Sequence, residues 1–259
     1  LAGVEPEWHK GAVVAIASSG GLRGVLSTDV NPDLGRAWLY GPHVDVPSGH
    51  PAAPQAWHTT ADALLHAALK FPHMTGITDL NLYGHVEHRQ LGEFADRHGF
   101  TKDTPTRIFT LAGAQLRSLL AQDTEKVEPL PADGSLNEQF TVLLERCFPN
   151  RTSTAEQLLN GRHSISVIRQ ADGRLAGFAA GYSQETEHLV DYVAVEPDMR
   201  CVGVGGQVVR GLISQLDARN GARRQAAAVV SVQNHASAGM FTRLGFGVEL
   251  ELVSYRRKP

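Results

Sequence analysis

Val193-Ala194-Val195-Glu196-Pro197-Asp198-Met199-Arg200-Cys201-Val202-Gly203-Val204-Gly205-Gly206 reads as a strand, a short turn and the glycine-rich start of a helix. Glycines at such a junction let backbone N–H groups approach an anion closely, and the positive end of the helix dipole favours a pyrophosphate there. Any phosphate-bearing cofactor satisfies that chemistry. A helix that simply packs tightly at its N-terminus accounts for the glycines equally well. The dinucleotide pattern G-x-G-x-x-G is not met, because its third position falls on Val208. A phosphate loop ending in G-K-[ST] is absent.

Downstream, Val208, Val209, Leu212, Ile213 and Leu216 form the apolar stripe of a helix that stops at Asn220-Gly221. A strand over 225–232 follows, then a helix opened by Asn234 and closed by Gly245, then a strand over 246–256. Upstream, strands over 164–170 and 174–182 flank Ala171-Asp172-Gly173, a hairpin signal because such turns need positive φ at their centre. A strand over 188–195 completes the sheet, and helices over 136–147 and 154–160 precede it. Alternating strands and helices around one mixed sheet place the chain in the α/β (α+β) class.

The first half has the same rhythm. Strands over 11–18, 22–29 and 36–44 lead into a Pro/Gly-rich loop, 46–55. Ala61, Leu64, Leu65, Ala68 and Leu69 then recur on one helical face up to Pro72. A strand over 76–83, a helix over 86–98 and a strand over 107–111 follow. Residues 115–135 are polar and contain Pro129, Pro131 and Gly134, so they read as a linker, with 126–130 a candidate first strand of the next unit. The expected boundary lies near residue 121, giving units 1–121 and 122–259. Phe94-Ala95-Asp96-Arg97-His98-Gly99-Phe100 echoes Met240-Phe241-Thr242-Arg243-Leu244-Gly245-Phe246, which points to an internal duplication.

Composition narrows the function classes. Hydrophobic residues make up 42% of the chain, enough for sizeable cores. A net charge of −3 provides no general attraction to nucleic acid or an anionic membrane. No apolar run reaches the ~20 residues that span a bilayer, and no charged-then-apolar segment opens the chain, so the expectation is an unexported cytoplasmic protein, a monomer or homodimer. The chain begins at Leu1 rather than Met, so its native N-terminus is an open question. Cys147 and Cys201 are too few for a disulfide framework. His85 and His88 stand three apart, but no further ligands complete a metal set, so no metal site is expected.

The cofactor stretch resembles the GNAT superfamily of N-acetyltransferases, whose loop reads [RQ]-x-x-G-x-[GA] after a strand ending in V-x-P. Arg200, Gly203 and Gly205 fill the loop positions, with Val195 and Pro197 upstream. A second family pattern, N-x(5)-[FLM]-[YF]-x(3)-G-F, is matched by Asn234, Met240, Phe241, Gly245 and Phe246. The resemblance implies two tandem GNAT-like units, each a mixed, mostly antiparallel sheet flanked by helices. The first unit lacks the loop motif and is a degenerate, incomplete copy that helps shape the acceptor cleft.

The same resemblance implies that acetyl-CoA is the acyl donor. Its pantetheine arm would follow Val193, Ala194 and Val195. Its pyrophosphate would rest on the amides of Cys201, Val202, Gly203, Val204, Gly205 and Gly206, with Arg200 beside them, and Asn234 and Phe241 would flank the thioester end. Cys201 stands where the family often has Gly. Acetylating an amine requires removal of a proton and stabilisation of an oxyanion. Strict alternation along the strand puts Asp191 on the face of Val193 and Val195, making it the leading catalytic base, with Glu187 and His188 behind it. Phe241 replaces a tyrosine that many members use as the acid, leaving Ser237 as another donor. The expected function is an acetyl-CoA-dependent N-acetyltransferase of a small amine or amino acid derivative. The alternatives are a non-catalytic acyl-CoA-binding module and a transferase of another acyl or aminoacyl group.

Overall fold

The computed structural model describes residues 10–46, 52–122, 124, 126–149 and 153–258. In chain order the elements are β1 (Ala12–Ile16), β2 (Leu22–Asn31), β3 (Arg36–Val44), α1 (Ala53–Ala68), β4 (Asp79–His85), α2 (Arg89–Arg97), β5 (Thr101–Lys102), β6 (Thr106–Ala112), α3 (Gly113–Leu120) and β7 (Glu128–Pro129). There follow α4 (Asn137–Cys147), α5 (Ala155–Asn160), β8 (Ser164–Arg169), β9 (Leu175–Ser183), β10 (Glu187–Val195), α6 (Val204–Asn220), β11 (Gln225–Ser231), α7 (His235–Arg243) and β12 (Gly247–Arg257).

Two compact units emerge, Leu1–Thr106 together with Glu251–Pro259, and Arg107–Leu250. This division departs from the expected boundary near residue 121 at both ends of the second unit, for two physical reasons. Residues 113–120, taken in part for linker, form α3, whose Leu116 and Leu119 are buried in the core of the second unit. Residues Leu252 to Arg257 of β12 pair antiparallel with β4 and so belong to the first unit.

In the first unit the strand order is β1-β2-β3-β4-β12. All neighbours run antiparallel except β3 and β4. The stripe Trp57, Ala61, Leu64, Leu65 and Ala68 of α1 packs with Leu26, Leu39, Leu82, Phe94 and Val253. α1 starts at Ala53, so the end of the expected loop is helical. Pro54 sits in the first turn, where its missing N–H leaves no hydrogen bond unmade. Residues 47–51 of that loop lie outside the described residues. At the start of β4, Asp79 accepts from Arg36 Nε at 2.8 Å, from Arg256 Nε at 2.6 Å and from Arg256 Nη2, joining β3, β4 and β12. Burial pushes its pKa up, but the two guanidiniums outweigh burial and hold it at about 2.

In the second unit the order is β7-β8-β9-β10-β11-β6. The pairs from β7 to β10 are antiparallel, and β10 with β11 is parallel. One face is covered by α6, on which Val208, Val209, Leu212, Ile213 and Leu216 have no exposed surface; each such burial contributes about 1.5–3 kcal/mol. The opposite face is covered by Phe140, Leu143 and Leu144 of α4 and Leu158 of α5, which pack with Phe178, Tyr192 and Ala194. Thr154 and Gln157 close a capping box at the start of α5.

The succession β3-α1-β4-α2 recurs as β10-α6-β11-α7. β3 and β4 pair from Arg36↔Asp79 to Leu39↔Leu82 and then part; β10 and β11 pair from Glu187↔Gln225 to Val190↔Ala228 and then part. His88 caps α2 through Nδ1 as Asn234 caps α7 through Oδ1. Both helices end on a left-handed glycine, Gly99 or Gly245, followed by a buried phenylalanine whose N–H returns to the helix. From β4 through Phe100 the counterparts stand at one constant offset along the chain. Among the described residues the first unit has no equivalent of β7, α4 or α5.

Candidate active site

The parting of β10 from β11 coincides with an irregularity on the other side of β10. Against β9, Val190 pairs with Gly181 and Tyr192 with Ala180, so Asp191 is an extra residue, a β-bulge. Val190, Val193 and Val195 pack on the α6 side, whereas Tyr192 and Ala194 belong to the α4-side core. The alternation that placed Asp191 with Val193 and Val195 therefore breaks at Asp191 itself. Its Oδ2 lies 3.1 Å from His163 Nε2. His163 precedes Ile165 and Val167, both in the α4-side core, at the period of β8. The His163 side chain is 9% exposed and that of Asp191 28%. The imidazole stands edge-on to Tyr182, with centroids 5.0 Å apart.

The two fallback bases are engaged elsewhere. Glu187 accepts from Gln225 Nε2 at 3.0 Å. His188 is fully buried toward α6, with Nδ1 2.8 Å from Ser183 Oγ and Nε2 3.5 Å from Asp217 Oδ1. Burial lowers its pKa.

Beyond β10 the chain makes one 3-10 turn, Pro197–Met199. Arg200 Nε then donates to Val195 O at 3.3 Å, and Glu196 is held by Arg146 at 2.5 Å. Gly203, at φ +91°, is the N-cap of α6 and offers no side chain to the amides of its first turn. A Cβ on Gly205 would stand 2.9 Å from Met240 Sδ, so the glycine loop and the second motif touch at this point. Val202 is exposed. Cys201 has φ +63°, the one non-glycine in the left-handed region among the described residues. That conformation costs an L-residue roughly 1–2 kcal/mol. Cys201→Gly is expected to raise the unfolding free energy by about 0.5–1 kcal/mol after allowing for the freer unfolded chain, read as a Tm gain of roughly 2 °C. An unchanged or lower Tm would contradict this.

Asn234 Oδ1 accepts from Ser237 N at 3.1 Å, which makes it a helix cap. Phe241 is 3% exposed and lies between Phe109 and Phe246, at centroid distances of 5.9 and 5.1 Å. Its ring is core rather than an open wall. A separate groove of about 670 Å3, bordered by Leu130, Leu159, Ile165, Gln215 and Arg219, lies toward the C-terminal end of α6 and touches the site through His163.

Residues 135–246 match the profile of the Acetyltransferase (GNAT) family. This segment is a GNAT acetyltransferase domain. The GNAT domain lies wholly within the second unit and contains every residue singled out for cofactor and catalysis. Over 101 residues the chain is 25% identical to the spore coat polysaccharide biosynthesis protein SpsD of Bacillus subtilis, a match covering 39% of this chain and only 34% of that protein. In fold it is similar to a GCN5-related N-acetyltransferase from Sphaerobacter thermophilus, with TM-score 0.65, 14% identity, and 95% of this chain and 80% of that one covered. It is also similar to a tandem GNAT protein from the clavulanic acid biosynthesis pathway, with TM-score 0.61, 16% identity, and coverage of 96% and 83%. The fold likeness thus extends beyond the GNAT domain to the first unit. Sequence reasoning missed His163 in the GNAT domain. Its signal was a polar residue one step before β8, in period with Ile165 and Val167.

Proposed function

We propose that the GNAT domain binds acetyl-CoA and transfers the acetyl group to a small amine or amino acid derivative by direct attack on the thioester. The supporting observation is the opening between β10 and β11 beyond Val190↔Ala228, which leads to the uncapped, glycine-rich start of α6. Pantetheine amides fit beside Val193, Ala194 and Val195, where β10 has left its parallel partner. The pyrophosphate fits the amides of residues 201–206, with Arg200 adjacent. Asp191, partly exposed at the bulge, takes the amine proton. Backbone N–H groups of 193–195 stabilise the oxyanion. A thiol of pKa near ~8.5 departs as thiolate without an acid, so Phe241 serves packing.

Unit 1 has no cofactor of its own in this reading, since its sequence lacks the R-x-x-G-x-G loop. No described helix is long and apolar enough to cross a membrane; we place the reaction in the cytoplasm. Thiol release from acetyl-CoA with a panel of small amines tests the function. Because one relative is named a spore coat polysaccharide biosynthesis protein, amines carried on sugars belong in that panel. Binding of acetyl-CoA without release of its thiol in the presence of any amine would favour an acyl-CoA-binding module, which the phenylalanine at position 241 also suits. Turnover with only longer acyl-CoAs or charged tRNA would favour another acyl or aminoacyl group.

A further inference from the structure

We propose that His163 is the positioning residue of this transfer, donating its Nε2–H to Asp191 Oδ2 and leaving Oδ1 to the acceptor amine. The inference rests on Asp191 being the base. As the bulged residue, Asp191 has no cross-strand partner in β9, so side-chain contacts decide where its carboxylate points. An ionised carboxylate only accepts, so the 3.1 Å contact requires the proton on Nε2. The histidine is the more buried partner and the carboxylate the more open one, the order needed when one group holds and the other reacts.

The imidazole is itself held. Its edge meets Tyr182, whose ring also carries the Arg162 guanidinium at 3.8 Å. A Cβ on Gly161 would lie 2.2 Å from Gln157 O, so the turn delivering Arg162 and His163 tolerates only glycine there. The charged and titratable groups gathered around Tyr182 beside the pair are Arg162, Asp191 and Glu187. In the reaction, the amine lone pair forms the C–N bond, the C–S bond breaks with its electrons on sulfur, and one N–H proton passes to Oδ1. His163 keeps its Nε2 proton throughout.

The test compares His163→Ala, His163→Gln and Asp191→Asn in kcat against pH, with acetyl-CoA affinity by calorimetry. His163→Ala should lower kcat at least tenfold and leave the acetyl-CoA Kd unchanged. His163→Gln, whose amide nitrogen reaches the place of Nε2 and can donate to Asp191 Oδ2, should recover most of kcat. Native kcat and pH profile in His163→Ala, with Asp191→Asn inactive, would overturn the inference while sparing the base assignment. Full activity of Asp191→Asn would instead remove the base assignment. Independently of turnover, nitrogen NMR should find the Nε2–H tautomer in the native chain. An Nδ1–H tautomer in the native chain overturns the proposal.

Discussion

Asp79→Ala is expected to destabilise unit 1 by about 3 kcal/mol, since it removes the carboxylate shared by two guanidiniums in a largely buried ion cluster. The Asp79 side chain is 10% exposed and its partners Arg36 and Arg256 are 12% and 23% exposed, so water replaces the carboxylate poorly. The acid dependence has a definite sign. With a folded pKa of about 2 against an ordinary 3.8, the carboxylate contributes about 2 kcal/mol that is fully present above pH 3.8 and is lost as pH falls through 2. Asp79→Asn keeps the shape and one acceptor, so it should lose less at pH 7 and flatten that acid slope. Urea unfolding across pH distinguishes the three chains, and a native-like midpoint for Asp79→Ala would show that the cluster adds nothing.

Gly203→Val and Gly205→Val are expected to weaken acetyl-CoA binding more than 100-fold, about 2.7 kcal/mol. At Gly203 the nearest atom to an added Cβ is Gln207 Nε2 at 3.6 Å, so the change adds little internal crowding; it places a branched residue at φ +91° over the amides. Gly205→Val also strikes Met240 and so tests two things together. Gly203→Val is the cleaner variant. Calorimetry, with a melting curve to confirm that the domain is folded, reads the result; unchanged affinity would remove the pyrophosphate from this loop.

Much of this architecture was legible in the chain. β3 begins and ends where alternation and its flanking residues predict, and the α6 stripe is the buried face. What escaped detection depends on partners distant in sequence. The bulge at Asp191 is a property of pairing with β9, and period-two counting along β10 alone carries no trace of it. α3 is eight residues long, too short for its buried Leu116 and Leu119 to stand out beside Gln115, Arg117 and Ser118. Residues 252–256 read as strand, but pairing with β4 is specified by contacts such as Arg256 with Asp79. Phe241 was recognised by its motif. Its burial follows from Phe109, which no local pattern connects to it.

The assignment of Glu251 and its successors to the first unit bears on the order of synthesis. A ribosome delivers β1 to β5 early, then the whole of the second unit, and only then the strand that gives Asp79 its second guanidinium. The nascent first unit therefore waits with the free edge of β4 exposed, a risk for mispairing. The intervening unit can collapse on its own contacts meanwhile. Folding of the chain is thus expected to finish where it began, and premature termination near residue 250 would damage the part made first.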